Sequence, residues 1–557
     1  MSEIAKEIKD EEIAMEVDID QLDEGSHENM DLMGVGGCNN FAPSQQNIVE
    51  ELVMSDSITQ KNASTIGEVY HESVDEFGEL TDTEIRYIDT SEMEKLDREL
   101  RHTWFTNIHV RQYFHGNILY RERHMRKVTW DELFIDLLYV ALFNRAGHII
   151  GHHPDMNGLT EYLLVIYPII NSWTLLTYQS NRYGVNFYFK VYSWFAVVLA
   201  AVMGVNCENI ANSDPHENTS HPFIISFLIA RFLYLLYGGL GANHQRKSYV
   251  LLSFMNFVAS IPWIISLFVD AKYRNILWFT SMALDYFGSP LTILAYKVSS
   301  LKNFVNLEYS MALNIEHFVE RNGLFVIVAL GEVVIAFLFE SRGAHVSKTF
   351  LATMMGILIS FSLNWIYFNI DGTSFKIHAF RRGKFYGVIW NMMHTPLIGT
   401  IILFGANMAV IVEKYSNHQS LVVKNVGKAS EATTNSESEV KNNGTITIKN
   451  EEYSDVIPVG ARWCFVFGAA LILLIFTIIQ SCHISVIHSC NVARIKRTII
   501  RVGISIGLGL FAAFGEKVPT LETMIIVAFT MIFLVSFEEW GRIQSKKRNG
   551  NGEDKKK

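Results

Sequence analysis

Glu132 and Asp136 stand four residues apart in an apolar stretch that begins Val128-Thr-Trp-Asp-Glu-Leu-Phe-Ile-Asp-Leu137. On a helix that spacing puts both carboxylates on one face, one turn apart. A carboxylate inside hydrocarbon is costly unless it is paired, hydrated or protonated, so its presence there points to a task. Two such groups held together suit the handling of protons or small cations. Arg231, Asp285, Glu332 and His394 repeat the situation in other apolar runs. At ~1.5 Å per residue, Asp136 would lie roughly 12 Å from the end of its segment, and Arg231, Asp285 and His394 roughly 15 Å. Secondary transporters hold substrate and coupling ions at such depths. Arg231 there requires Asp285 or Glu332 as a partner. Glu320 and Arg321 open another run, where both can reach water as a charged pair at the inner face.

Apolar runs of bilayer length must position these groups. Twelve are legible, near 128–150, 159–179, 187–206, 221–240, 249–269, 275–297, 320–340, 348–370, 384–413, 461–482, 498–514 and 519–540. They predict an all-α, polytopic helical bundle with spans one to nine in 128–413 and ten to twelve in 461–540. The ninth run contains Pro396, where a kink is expected. The chain of 557 residues has a net charge of −10, but the charge is segregated. Residues 1–100 hold 27 acidic and 6 basic side chains, a local net of −21, and the remainder carries +11. This leader, taken to residue 120, reads as a disordered acidic cytoplasmic tail. Residues 414–460, rich in Ser, Asn and Glu, read as a disordered extracytoplasmic loop, and 541–557 as a basic cytoplasmic tail. The chain opens without the apolar core of a cleavable signal peptide.

Basic residues mark the side of each loop. Arg121, Arg123, Arg126 and Lys127 precede the first run and place the N-terminus inside. Arg182 with Lys190, Arg246 with Lys247, and Arg381 with Arg382 and Lys384 fall on the same side. Sequons at Asn218 and Asn443 then fall outside as glycosylation candidates. The environment is a lipid bilayer, in a plasma membrane or an endomembrane.

Several chemistries find no support. There is no H-E-x-x-H, no G-x-S-x-G and no phosphate-binding glycine loop, so no catalytic residue, enzyme activity or cofactor is expected. No nucleic-acid-binding pattern is present. His148, His152 and His153 end the first run at helical spacing, but Gly151 and Pro154 interrupt the helix and no cysteine joins them, so no metal site is expected. Cys38, Cys207, Cys464, Cys482 and Cys490 form no C-x-x-C pair.

The motifs resemble those of the low temperature requirement protein A family. Its E-L-F-x-D-L stands here as Glu132-Leu-Phe-Ile-Asp136-Leu. Its E-R-x-G-L-F followed by L-G-E stands as Glu320-Arg321-Asn-Gly-Leu-Phe and Leu330-Gly-Glu332. Its H-x-P-L stands as His394-Thr-Pro-Leu. The resemblance covers roughly 128–540 and implies a polytopic membrane protein linked by name to growth in the cold. One motif departs: where the family tends to read W-x-Y-F-D, this chain has Trp365-Ile-Tyr-Phe-Asn369, with Asp371 two residues later. The charges favour a transporter or channel that couples to protons or small cations. The alternative is a membrane scaffold or stress-signalling protein in which the buried charges are structural.

Overall fold

A computed structural model describes residues 66–69, 84–88, 108, 110–115, 118–122, 126–184, 187–210, 218–242, 246–296, 309–341, 347–371, 375–434, 458–485 and 491–553. Each of the twelve apolar runs is a helix. They are α1 (Trp130–His152), α2 (Met156–Arg182), α3 (Phe187–Val205), α4 (Ser220–Gly241), α5 (Arg246–Ser266) and α6 (Ala271–Tyr296). Then follow α7 (Ile315–Glu340), α8 (Lys348–Asp371), α9 (Lys384–Thr434), α10 (Val459–Cys482), α11 (Asn491–Phe514) and α12 (Thr520–Glu553). Among the described residues, eleven are long and apolar enough to cross a bilayer. The expectation of twelve fails on that criterion at α6, where Asn275, Ser281, Asp285 and Ser289 dilute the hydropathy. Helices α2, α7, α9 and α10 are the most enclosed, and α3 and α11 the most exposed.

Local chemistry sets where the central helices begin. Thr129 Oγ1 accepts from the Glu132 N–H, while the Glu132 carboxylate accepts from the Thr129 N–H at 2.9 Å, a reciprocal capping box. Asp155 caps α2 by accepting from the Gly158 N–H at 2.7 Å. Asn314 caps α7 through the His317 N–H at 3.1 Å. Gly405 lets α9 approach α7: a Cβ there would stand 2.4 Å from the Val333 side chain. Helix α9 runs through Pro396, which has no N–H to give the Met392 carbonyl. The Tyr286 hydroxyl from α6 donates to that carbonyl instead, at 3.1 Å.

Two expected boundaries change. Helix α9 continues to Thr434, twenty-one residues into the segment read as an outer loop, with no proline to interrupt it after Pro396. The leader is not wholly without structure. Strands β1 (Ile66–Val69) and β2 (Glu84–Ile88) join β3 (Tyr113–His115), β4 (Ile118–Glu122) and β5 (Tyr309–Met311) in a sheet of order β1-β2-β4-β3-β5. Strand β2 runs parallel to β4, and the other pairings are antiparallel. Ile85, Tyr87 and Ile88 supply the strand-favouring residues that the leader's charge obscured. Apart from Ile108 and residues 110–112, the rest of the leader lies outside the described residues, as does Asn443. Strands β6 (Phe375–Ile377) and β7 (Ile484–Ser485) pair antiparallel.

The face where α1, α7 and α9 begin is called near below, and the face where they end far. Arg126, Asn181, Asn314 and His317 meet at the near face.

Candidate functional site

The sequence places Glu132 and Asp136 on one face of α1, and that face meets α7. Glu132 lies against His317 and Asp136 against Arg321, each pair 185 residues apart, so the two helices run parallel and in register. The Arg321 Nη1 stands 2.7 Å from Asp136 Oδ2 and 2.9 Å from the Glu132 carbonyl oxygen. Trp173 Nε1 from α2 donates to the other Asp136 oxygen at 2.7 Å. Arg321 is 1% exposed, which overturns its expected place in a water-reaching pair with Glu320. Adjacent helical residues point about 100° apart, so Glu320 faces outward while Arg321 enters the seam.

Glu132 is equally occupied. One oxygen accepts from Arg126 Nη2 at 2.9 Å, and the other takes the Thr129 backbone, the Thr129 hydroxyl at 3.1 Å and His317 Nε2 at 3.2 Å. The ring form of His317 follows from its other neighbour. The Asn181 oxygen accepts from the Asn314 N–H, which fixes the Asn181 amide so that its Nδ2 donates to His317 Nδ1. Nε2 therefore carries the proton given to Glu132. Arg126, read in the sequence only as part of a basic loop, seals this rung from the chain before α1 and also donates to the Ser180 carbonyl.

Above the two ionic rungs comes an aromatic layer. Phe325 stacks on Trp173 with centroids 3.7 Å apart, meets Phe143 at 5.2 Å and meets Tyr139 edge-on at 6.0 Å. One further step along the seam, Asn144 Nδ2 donates to Glu332 Oε1 at 2.7 Å. Glu332 is buried and has no cation within ion-pair distance among the described residues. It lines a cavity of about 740 Å³ between α1, α7 and α9, whose far end carries His148, His152, Glu340 and Glu413. The His148 and His152 rings stack 5.8 Å apart on the last turn of α1.

The remaining predicted groups lie elsewhere, so the expected single polar cluster is three groups. Arg231 of α4 pairs with Asp285 of α6 at 2.6 and 2.8 Å and also donates to Ser260 Oγ at 2.8 Å. His394 hydrogen-bonds the Trp390 carbonyl at 2.8 Å and the Tyr367 hydroxyl at 3.0 Å. Asp285 and His394 share a second cavity of about 230 Å³, which reaches Arg182 at the near end of α2. Its wall includes Trp173 and Phe325, whereas Phe143 lines the first cavity. The two cavities are thus separated by the contact between Phe143 and the Phe325–Trp173 stack.

A family model described as "Bacterial low temperature requirement A protein (LtrA)" matches residues 127–537. The chain belongs to the LtrA family. With its apolar helices, this makes it a multi-pass integral membrane protein. Among curated proteins and among solved structures, nothing matches. The LtrA match takes in Glu132, Asp136, His317, Arg321, Glu332 and both cavities, and leaves Arg126 and β1 to β4 outside.

Five residues of this LtrA site escaped the sequence reading: Arg126, Asn144, Trp173, Arg182 and His317. The His317–Arg321 spacing repeats that of Glu132–Asp136 and was the available signal. Asn369 and Asp371, at the departing motif, have side chains outside the described residues. Asn218 is half-buried beside α4, where its side-chain oxygen accepts from the Ser220 N–H at 2.9 Å. Cys207, Cys464 and Cys482 are free thiols, and Cys38 and Cys490 lie outside the described residues.

Proposed function

We propose that this LtrA protein is a carrier that couples to protons or a small cation, with Glu332 as the charge-accepting group and the near face cytoplasmic. The observation that supports it is the pair of cavities on either side of one aromatic layer. A thin barrier between two vestibules is what alternating access needs, since small helix movements then exchange which side is open. Glu332 suits the coupling role because its one polar partner is neutral, so gain or loss of a proton breaks no ion pair. Asp136 and Glu132 suit a structural one, because every oxygen is already claimed by a donor. The basic residues before α1, with Arg182 at the end of α2 and Lys190 at the start of α3, support the cytoplasmic near face.

The scaffold alternative draws on those same saturated rungs. The two readings part at Glu332. Protein reconstituted in liposomes containing a pH-sensitive dye is expected to dissipate an imposed pH gradient faster than empty vesicles. Glu332→Gln keeps the Asn144 hydrogen bond and is expected to abolish that flux with folding unchanged. Equal rates in protein-containing and empty vesicles would favour the scaffold.

A further inference from the structure

On α2, Tyr167, Asn171, Thr174, Tyr178 and Arg182 recur every three or four residues and therefore share one face. That face forms a wall of the 230 Å³ cavity from the level of Asp285 to the near end of the helix. The volume far exceeds the ~10–15 Å³ of probe-occupied space that one water needs. Two of the lining residues, Asp285 and Arg182, belong to the acidic and strongly basic types, and His394 is the titratable group beside them. Asp285 is already neutralised by Arg231. Among the described residues Arg182 has no carboxylate within ion-pair distance: its polar side-chain contact is the Tyr234 hydroxyl at a long 3.4 Å, and its guanidinium sits 5.0 Å from the Tyr178 ring centre. Arg182 is half-buried at the end of α2 and lines the cavity, where an anionic solute would supply a counter-charge to its guanidinium.

The neighbouring groups specify which anion. Tyr178 accepts from Asn391 Nδ2 at 2.8 Å, which leaves its own hydroxyl proton to donate. A planar guanidinium fork next to a phenol matches a carboxylate, which takes two donors on one oxygen pair. Phe318 stacks on Tyr178 at 5.4 Å and meets Phe380 at 5.9 Å, giving an apolar surface for the body of an organic molecule. We infer that the near-side cavity is a binding site for a small organic carboxylate, with Arg182 as its charge partner and the Tyr178 hydroxyl as its second donor. As a transport substrate this rests on the carrier reading: a proton taken through Glu332 would offset the charge of the anion. As a binding site it stands without it.

The test is calorimetric titration of the full chain in detergent with sodium acetate, sodium succinate and sodium benzoate, against sodium chloride and choline chloride. At least one carboxylate is expected to bind, and the two chloride salts are not. Arg182→Gln is expected to weaken that binding roughly tenfold or more, the loss of one charge-assisted hydrogen bond. Arg182→Lys, a point charge without the fork, is expected to fall between. Asn391→Leu leaves Arg182 in place and is expected to weaken binding less, which keeps the test open if Arg182→Gln does not fold. The inference is overturned if no carboxylate binds the folded wild type, if chloride binds as well as carboxylate, or if the folded variants bind like wild type. Proton flux without carboxylate binding would sink this site and spare the carrier. Binding without flux would do the reverse.

Discussion

Asp136→Asn changes one oxygen to an amide nitrogen with almost no change in shape. Asp136 is 0% exposed, and Arg321 depends on it for charge neutralisation. Without the carboxylate, the guanidinium keeps the neutral Glu132 carbonyl at 2.9 Å, and its Nε already has no partner among the described residues. An amide turned to satisfy Arg321 would present its nitrogen to the Trp173 N–H, setting donor against donor. Removing one member of a buried ion pair costs about 3–5 kcal/mol. Arg321→Met should cost a similar ~3–5 kcal/mol by stranding Asp136. The double variant Asp136→Leu/Arg321→Met strands neither charge and should recover most of that loss. Unfolding free energies in mixed micelles for Asp136→Leu, Arg321→Met and the double variant close the cycle, with Asp136→Asn measured beside them. Additive losses, or an Asp136→Asn protein as stable as wild type, would refute the claim that this rung is a tightly coupled buried pair.

Other outcomes follow from the same geometry. Glu132→Ala removes the reciprocal half of the capping box and takes away the carboxylate paired with Arg126, so it should destabilise by more than the ~1 kcal/mol typical of a lost helix cap, measured in the same micelles. Arg231→Met should destabilise by about 3–5 kcal/mol because Asp285 is left buried and unpaired, and adding Asp285→Leu should restore stability. Deleting residues 1–100 removes β1 and β2 and uncovers an edge of β4, so it should lower the melting temperature slightly. An unchanged melting temperature would show that those strands add no stability.

Much of the architecture was legible because twenty-residue apolar runs have few alternatives in a bilayer. The α1 carboxylates were legible for the same reason, since charge in such a run stands out. The departures share a physical cause. Arg321 was assigned to the membrane surface by its position near a helix end, but depth along the axis does not say which way a side chain points. Its direction became visible only when α7 was laid against α1. Arg231 and Glu332 have similar depths yet occupy different sectors of the bundle, because helix order around the centre is not written in hydropathy. Arg126 and Arg182 were read as loop charges for topology, and the same residues turned out to seal a rung and line a cavity.

The central claim is that one aromatic layer closes the path between the two cavities. Phe325→Ala tests it most directly, because that ring touches Trp173, Phe143 and Tyr139 together. In liposomes under an imposed pH gradient, the variant should pass protons faster than wild type, as water bridges the space left by the ring. A folded Phe325→Ala protein whose proton flux equals or falls below that of wild type would contradict the account.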